Sequence, residues 1–311
     1  MKAHAQRTPS RTMRRGSTVV SDVLPISRFL RITLVSQNAL RLATFLERAL
    51  GFHRLQHAPS GAPLCGSANG AGGRAFSTTL SLGQQQLELL QFASAGKPYP
   101  QDTRSSDLLF QHAAIVVSDM DEAFRQLSAV AGWTAISRNG PQALPEKSGG
   151  VTAFKFRDPE GHPFELLAFP PAERPAQWKQ ANSQSPFLGI DHSAISVADT
   201  GVSVAFYEAL GLSVSGGSVN TGIEQGRLDA LPNPRVTVTA LSAGVTAPHL
   251  ELLCYQQCGT PVPGISPVRD NDVAATRTVW QPQVANRPGD TERPSKILLD
   301  PDGHRVLITR F

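Results

Sequence analysis

Residues 110–119 read FQHAAIVVSD, and residues 189–199 read GIDHSAISVAD. In each stretch a His opens a short apolar run and an Asp follows seven residues later, so His112 and Asp119 correspond to His192 and Asp199. Short apolar runs of this kind suit buried strands. Each copy is followed by a second run with a Glu inside it. PFELLAF at 163–169 carries Glu165, and HLELLCY at 249–255 carries Glu251. A repeat unit does not usually bury its apolar face alone, so the repetition constrains the architecture before any single residue does. The recurrence of metal-capable side chains in both copies exceeds what packing requires.

Outward from these stretches, the order strand, helix, strand, strand, strand recurs. The first unit opens with FLRITLVS at 29–36 and continues into a helix with Asn38 as its cap and Gly51 as its terminator. Its Leu42, Phe45, Leu46, Ala49 and Leu50 form one apolar stripe. A Gly/Pro/Ala loop at 58–73 precedes strands in RAFSTTLSLG and QQLELLQF. The second unit places strands at 108–118, 133–137, 151–157 and 163–169 and a helix at 120–131, with the turn RDPEGH before Phe164. A Pro, Gln and Ala-rich linker follows, whose Trp178 is expected to dock on a neighbouring surface. The third unit starts at Ile190, and its FYEALGL mirrors FLERALGF of the first. Within it, Gly222 and Gly226 suggest a loop at SVNTGIEQGRLD that ends in a short strand or turn near Leu228. The fourth unit is abbreviated, with a Pro/Gly-rich loop at 281–294 in the place of a helix and a DPDGH turn at 300–304 that repeats DPEGH at 158–162.

A chain of 311 residues, 40% hydrophobic, can bury one large core or, as the favoured expectation, two of ordinary size. The expected organisation is a basic tail over 1–26, a first pair of units over 27–170, a linker over 171–186 and a second pair over 187–311. The net charge is +4, but the first fifteen residues hold Lys2, Arg7, Arg11, Arg14 and Arg15 with no acid, which leaves the remainder near −1. A solvated arm is the simpler reading of that tail than a nucleic-acid or membrane contact. No run approaches the ~18 apolar residues of a membrane span, and a cytoplasmic protein without nucleic-acid or membrane partners is expected. The expected partner is a small-molecule substrate, in a monomer or homodimer. Cys65, Cys254 and Cys258 are sparse and odd in number and are expected to stay reduced.

The βαβββ unit, the helix ending in L-G, the D-P-x-G-H hairpin and the Glu in the strand after it resemble the vicinal oxygen chelate superfamily. That superfamily contains glyoxalase I, methylmalonyl-CoA epimerase, extradiol dioxygenases and bleomycin-resistance proteins. The resemblance covers about residues 28 to 311 and implies an α+β fold of tandem βαβββ units forming two curved, mixed-sheet cups. It also implies metal ligands from the first and last strands of each unit. Carried onto this sequence, those positions hold Arg31 and Glu88, then His112 and Glu165, then His192 and Glu251, and finally the non-ligands Arg277 and Leu307. Units two and three alone keep both ligands. If they pair across the linker, His112, Glu165, His192 and Glu251 make a set that suits Zn, Ni, Co, Mn or Fe as a divalent ion and resembles that of bacterial glyoxalase I. If sequence-adjacent units pair instead, one cup holds Glu88, His112 and Glu165 beside Arg31, and the other holds His192 and Glu251.

A His at a strand start is commonly structural, and a strand Glu can face water. Glu165 and Glu251, however, share their faces with Leu167 and Leu253, and a carboxylate buried there needs a partner or a metal. His162 and His304 are read as turn residues, and His249 shares a face with Glu251. The expected activity is a metal-dependent isomerase or lyase of the glyoxalase type with Glu165 or Glu251 as base, and Asn220, Glu224 and Gln225 are the candidate substrate contacts. One alternative is an extradiol-type ring-cleaving dioxygenase with its iron site drawn from units three and four. Another is a metal-free small-molecule binding or resistance protein.

Overall fold

The computed structural model describes residues 25–60, 74–179, 185–244, 247–256, 268–283 and 295–309. The basic tail, most of the 58–73 and 281–294 loops, Cys65 and Cys258 lie outside the described residues. The first unit comprises β1 (Ile26–Val35), α1 (Ala39–Leu50), β2 (His53–Pro59), β3 (Ala75–Leu82) and β4 (Gln85–Phe92). The second comprises β5 (Gln111–Val117), α2 (Met120–Ser128), the short β6 (Thr134–Ala135) and β7 (Gln142–Ala143), β8 (Thr152–Arg157) and β9 (Pro163–Ala168). The linker contains α3 (Ala176–Lys179). The third unit then gives β10 (Phe187–Ser196), α4 (Thr200–Ala209), β11 (Ser213–Thr221), α5 (Ile223–Asp229), β12 (Arg235–Ser242) and β13 (His249–Gln256). The fourth unit contributes β14 (Arg277–Pro282), β15 (Lys296–Leu299) and β16 (Arg305–Ile308).

Each unit pairs its first strand in parallel with its last: β1 with β4, β5 with β9, β10 with β13 and β14 with β16. Parallel neighbours need a crossover, and in the first three units the intervening helix supplies it. Units then join through antiparallel first strands, β1 with β14 and β5 with β10. The result is a seven-stranded sheet from units one and four and a nine-stranded sheet from units two and three. Unit three therefore pairs with unit two, and the linker joins two halves of one sheet. The cup of units three and four that the ring-cleaving alternative required is not formed, because the fourth unit is hydrogen-bonded to the first.

The three crossover helices start alike. The side chains of Asn38, Asp119 and Asp199 accept from the backbone N–H of Arg41, Glu122 and Val202, each at 3.0 Å. The repeated Asp of FQHAAIVVSD and GIDHSAISVAD is thus a helix cap, one of the strongest N-terminal signals available to a helix. Gly51 closes α1 in the left-handed conformation, at φ 68°. Phe29, Leu46, Leu127, Phe154, Phe164, Tyr207 and Trp280 belong to one continuous core that takes side chains from both sheets and from α1, α2 and α4. One expectation is corrected here. The stretch read as a loop ending near Leu228 is the helix α5, and its Gly226 serves close packing, since a Cβ there would sit 2.9 Å from the Leu231 carbonyl.

The two D-P-x-G-H hairpins stitch the sheets together. His162 lies between β8 and β9 and is fully buried, with Nδ1 2.8 Å from Asp158 Oδ2 and Nε2 3.0 Å from the Val35 carbonyl at the end of β1. Glu160 of the same hairpin accepts from Ser36 Oγ and from the N–H of Gln37 and Asn38 at 2.9–3.0 Å. In the fourth unit, His304 Nε2 donates to the Ser196 carbonyl at 2.9 Å and Asp302 accepts from the Ala198 N–H at 3.1 Å. Each hairpin thus grips the strand-to-helix junction of a unit in the other sheet. These histidines, read as turn residues, act as clasps.

Both nitrogens of His162 face acceptors, so the ring fits as an imidazolium. Burial opposes that charge, but Asp158 and Glu160 outweigh it and raise the His162 pKa above its ordinary value. The stabilisation is therefore complete below about pH 6.5, the unfolded value, and is lost as pH rises through the folded-state value. In urea unfolding, the stability gap between the native protein and His162→Asn is expected to be wide at pH 6 and to narrow at alkaline pH. A gap independent of pH would refute this assignment.

Candidate metal centre

The β5–β10 ladder decides where the site lies. His112 sits opposite Ala194 and His192 opposite Ala114, so the two imidazoles are diagonal neighbours on one face, with ring centroids 5.7 Å apart. The parallel partners β9 and β13 set Glu165 beside Ala114 and Glu251 beside Ala194. Small alanines at both positions leave room above the sheet. The four expected ligands therefore line one cavity of about 170 Å³, with Leu167 and Leu253 on the same face, as strand alternation requires.

His112, Glu165 and His192 are all buried and offer ligand atoms within 4.8 Å of one another. His112 Nε2 lies 2.8 Å from Glu165 Oε2, yet neither ring nitrogen of His112 has an aligned hydrogen bond. A buried imidazole that touches a carboxylate without an aligned hydrogen bond, and whose Nδ1 has no partner, fits a metal better than a core polar network. Glu251 stands at the rim of this group, with Oε2 3.5 Å from His192 Nε2 and Oε1 3.4 Å from His249 Nε2.

Asp191, His192 and His249 form a second cluster that shares His192. Its geometry assigns Asp191 a supporting part. His192 Nδ1 meets Asp191 Oδ2 at 3.0 Å, which leaves Nε2 on the side of Glu251 and is the arrangement by which a carboxylate orients a metal-binding imidazole. Asp191 reaches the cup although it adjoins His192 in sequence, because the β5–β10 register slips between Ile190 and His192. Such a bulge redirects a side chain that alternation would send to the other face. The linker completes the shell. Trp178 is buried, as its expected docking implied, and its Nε1 donates to Asp191 Oδ1 at 3.2 Å. A Cβ on Gly189 would lie 2.6 Å from the Trp178 ring, so the glycine that opens GIDHSAISVAD makes the docking possible.

The sequence argument passed over two buried charges. Lys155 on β8 faces Glu165 across the β8–β9 ladder, and its Nζ donates to Asp229 Oδ1 of α5 at 2.7 Å. Alternation on β8 placed Lys155 on the cup face, but nothing local paired it with a residue 74 positions away. α5 is further held on unit two by Ser137 Oγ, which donates to the Leu228 carbonyl at 2.9 Å, and so forms one wall of the cup. Of the expected substrate contacts, Asn220 and Gln225 line the cavity and Glu224 does not.

The charges are strongly coupled. Burial lowers the His112 pKa more than the contact with Glu165 raises it, so this ring is neutral and available as a ligand. Burial would raise the Glu165 pKa, but Lys155 and the two imidazoles bring it to about 2. Glu251 likewise reaches about 2 against its burial, through His192 and His249. His192 is driven up to about 9, its burial outweighed by Glu251 and Asp191. Lys155 is also raised despite its burial, chiefly by Asp229 and Glu165.

The seven-stranded sheet settles the equivalent positions without a metal. Arg31 Nε donates to Glu88 at 3.0 Å, Thr33 Oγ1 at 2.8 Å and Ser77 Oγ at 2.6 Å, so that carboxylate is saturated. Burial pushes the Glu88 pKa up, and these partners bring it below its ordinary value. A larger cleft of about 780 Å³, lined by Arg41, Phe45, Tyr99 and Arg157, lies outside both cups. Among the described residues it holds no metal-capable cluster.

A family model described as the Glyoxalase/Bleomycin resistance protein/Dioxygenase superfamily matches residues 28–166. Among solved structures, glyoxalase I from Zea mays superposes with a TM-score of 0.57 at 17% identity, covering 90% of this chain and 91% of that one. A protein from Bacillus subtilis described as a putative dioxygenase gives 0.52 at 12% identity, covering 92% and 86%. At these identities the likeness is one of fold. No curated protein matches the chain in sequence. Among the described residues, no helix is long and apolar enough to cross a membrane.

The Lys155–Asp229 pair gives a direct test of the wall. Lys155→Met leaves the buried Asp229 carboxylate without its counter-charge, with Gln225 Nε2 still donating to it, and is expected to cost on the order of 3–5 kcal/mol in chemical denaturation. Adding Asp229→Leu should recover most of that loss. If the double variant is as unstable as the single one, the ion pair is not what holds α5 in place.

Proposed function

We propose, from the glyoxalase superfamily fold that this chain carries, that the cup of units two and three is the active site of a metal-dependent isomerase or lyase of the glyoxalase type, acting on a small oxygen-rich substrate. The carrying observation is the buried His112, Glu165 and His192 cluster, with ligand atoms within 4.8 Å, and Glu251 beside it. These four residues would hold a divalent ion: Zn, Ni, Co, Mn or Fe. When bound, such an ion supplies Lewis-acid polarisation of a carbonyl or diol oxygen.

The protein's own groups divide the remaining work. Asp191 holds the His192 ring by its Nδ1, and Lys155 and His112 restrain Glu165, whose side chain is 9% exposed. Glu251 is freer, with a side chain 21% exposed and contacts of 3.4–3.5 Å. It is therefore the better candidate of the two glutamates for the base. It would take a proton from the hydroxyl-bearing carbon of the substrate and return it to the adjacent carbonyl carbon, an isomerisation without net redox change. The apolar walls at Leu167, Val236 and Leu253 limit water at those carbons.

A second reading moves the ring-cleaving iron site from units three and four, which do not pair, to this cluster, whose two imidazoles and one carboxylate also suit it. Oxygen uptake with catechols would support that alternative, and anaerobic conversion of hemithioacetals the first.

Protein purified without chelator is expected to carry about one metal ion per chain by elemental analysis, and His112→Ala or His192→Ala to abolish it. Glu251→Gln should keep most of the metal and reduce turnover at least about a hundredfold. Should native protein contain no stoichiometric metal, and added Ni, Zn or Fe neither bind nor stabilise it, both metal-dependent readings fail and a metal-free binding protein is favoured.

A further inference from the structure

Helix α1 lays Arg41, Phe45 and Arg48 along one side of the cleft of about 780 Å³ that lies outside both cups. Residues spaced by four and then three positions share a helix face, so the two arginines stand about two turns apart on it. Both are exposed, and among the described residues neither guanidinium has an ion-pair or hydrogen-bond partner. The acid of α1, Glu47, is taken by Arg54 at 2.7 Å, and the first turn of the helix has none. The acids that line the cleft are also engaged. Asp158 meets His162 Nδ1 at 2.8 Å and accepts from the N–H of Glu160 and His162, while Glu160 accepts from Ser36, Gln37 and Asn38. The lining therefore sets three arginines, Arg41, Arg48 and Arg157, against two acids that the hairpin already uses. Arg157 is held by the carbonyls of Gly161 and Thr103, which leaves Arg41 and Arg48 to receive an anion from solvent. The same lining offers reachable apolar surface, since Pro98, Pro100, Ala131 and Pro159 are exposed and Val130 is half-buried. A guanidinium recognises a carboxylate through paired N–H donors, and an apolar group gains by leaving water.

We propose that this cleft is a second ligand site, separate from the metal cup, and that it takes an organic carboxylate with an apolar ring or chain. Arg41 and Arg48 receive the carboxylate, and the apolar part lies on the prolines and Val130. The walls come from α1 of unit one, the 98–101 segment that leads into unit two, the residues after α2 and the hairpin at 158–161, so the ligand spans the junction of the first two units. Nothing in this site depends on the chemistry of the cup.

Benzoate and benzamide share a ring and differ in charge, whereas acetate carries the charge without the ring. Each is titrated into the full-length native protein, and binding is followed by NMR shifts of backbone amides. Benzoate is expected to move the amides of Tyr99, Gln101, Ala131 and Gly161 and to bind at least about tenfold more tightly than benzamide or acetate. Arg41→Gln and Arg48→Gln should each reduce the preference over benzamide about threefold or more, and together remove it. Arg235→Gln removes an exposed arginine of β12 that does not line the cleft, and it should leave the preference unchanged. Benzoate binding no better than benzamide or acetate, an effect of Arg235→Gln as large as that of either cleft variant, or shifts confined to the metal cup would overturn the proposal. If the double variant does not fold, the two single variants are read against the native ratio. Metal content is expected to be the same in native and cleft variants, so this site and the metal-dependent reading fail separately.

Discussion

Strands β5 and β10 lie side by side and antiparallel, and the ladder between them is the constraint on which the cup depends. It joins the second unit to the third across the 18 residues between β9 and β10, from Phe169 to Pro186, and sets two imidazoles 5.7 Å apart on a shared face. The parallel strands on either side then have no freedom in where they deliver Glu165 and Glu251. A one-residue slip of β10 would turn His192 into the core and expose the apolar residues now packed there, so the burial of that core also fixes how the two imidazoles and two carboxylates sit. The local slip that does occur, between Ile190 and His192, is what admits Asp191 to the cup beside His192.

The two sheets cannot be treated as independent bodies. Each D-P-x-G-H hairpin reaches across to the other sheet and satisfies backbone groups at the point where a strand ends and a capped helix begins. The carbonyls so engaged belong to the buried Val35 and Ser196, and the N–H groups to the exposed Gln37, Asn38 and Ala198. The hairpin His serves the carbonyl and the hairpin acid serves the N–H groups, so one five-residue turn closes a junction that belongs to another unit. This reciprocal gripping keeps one core continuous through both sheets.

The cups diverge electrostatically on the same scaffold. In the seven-stranded sheet an arginine on the first strand neutralises Glu88 at contact distance, and two hydroxyls complete the carboxylate. In the nine-stranded sheet the corresponding position is an imidazole that meets Glu165 without an aligned hydrogen bond, and the cation, Lys155, is committed largely to Asp229 of α5. The first arrangement consumes its acid internally. The second leaves carboxylates and imidazoles lining one cavity, with α5 held as its wall by the same buried cation.

Much of this was legible in the order of residues. The repeated His and Asp, the Glu two residues before a Leu on the last strand of the first three units, the helix caps and the D-P-x-G-H turns are local signals with periods of a few residues, and those signals alone point to four βαβββ-type units with a His/Glu pair surviving in two. The tertiary structure decided which units pair, because the first strand of any unit offers the same backbone edge and the choice is made by side-chain packing between residues far apart in the chain. It also decided that SVNTGIEQGRLD would form a helical wall, where its glycines had suggested a loop. Asp191 entered the site through a bulge that no alternation rule foretells, and Lys155 met Asp229 across 74 residues, a pairing that exists only after the third unit has closed over the second.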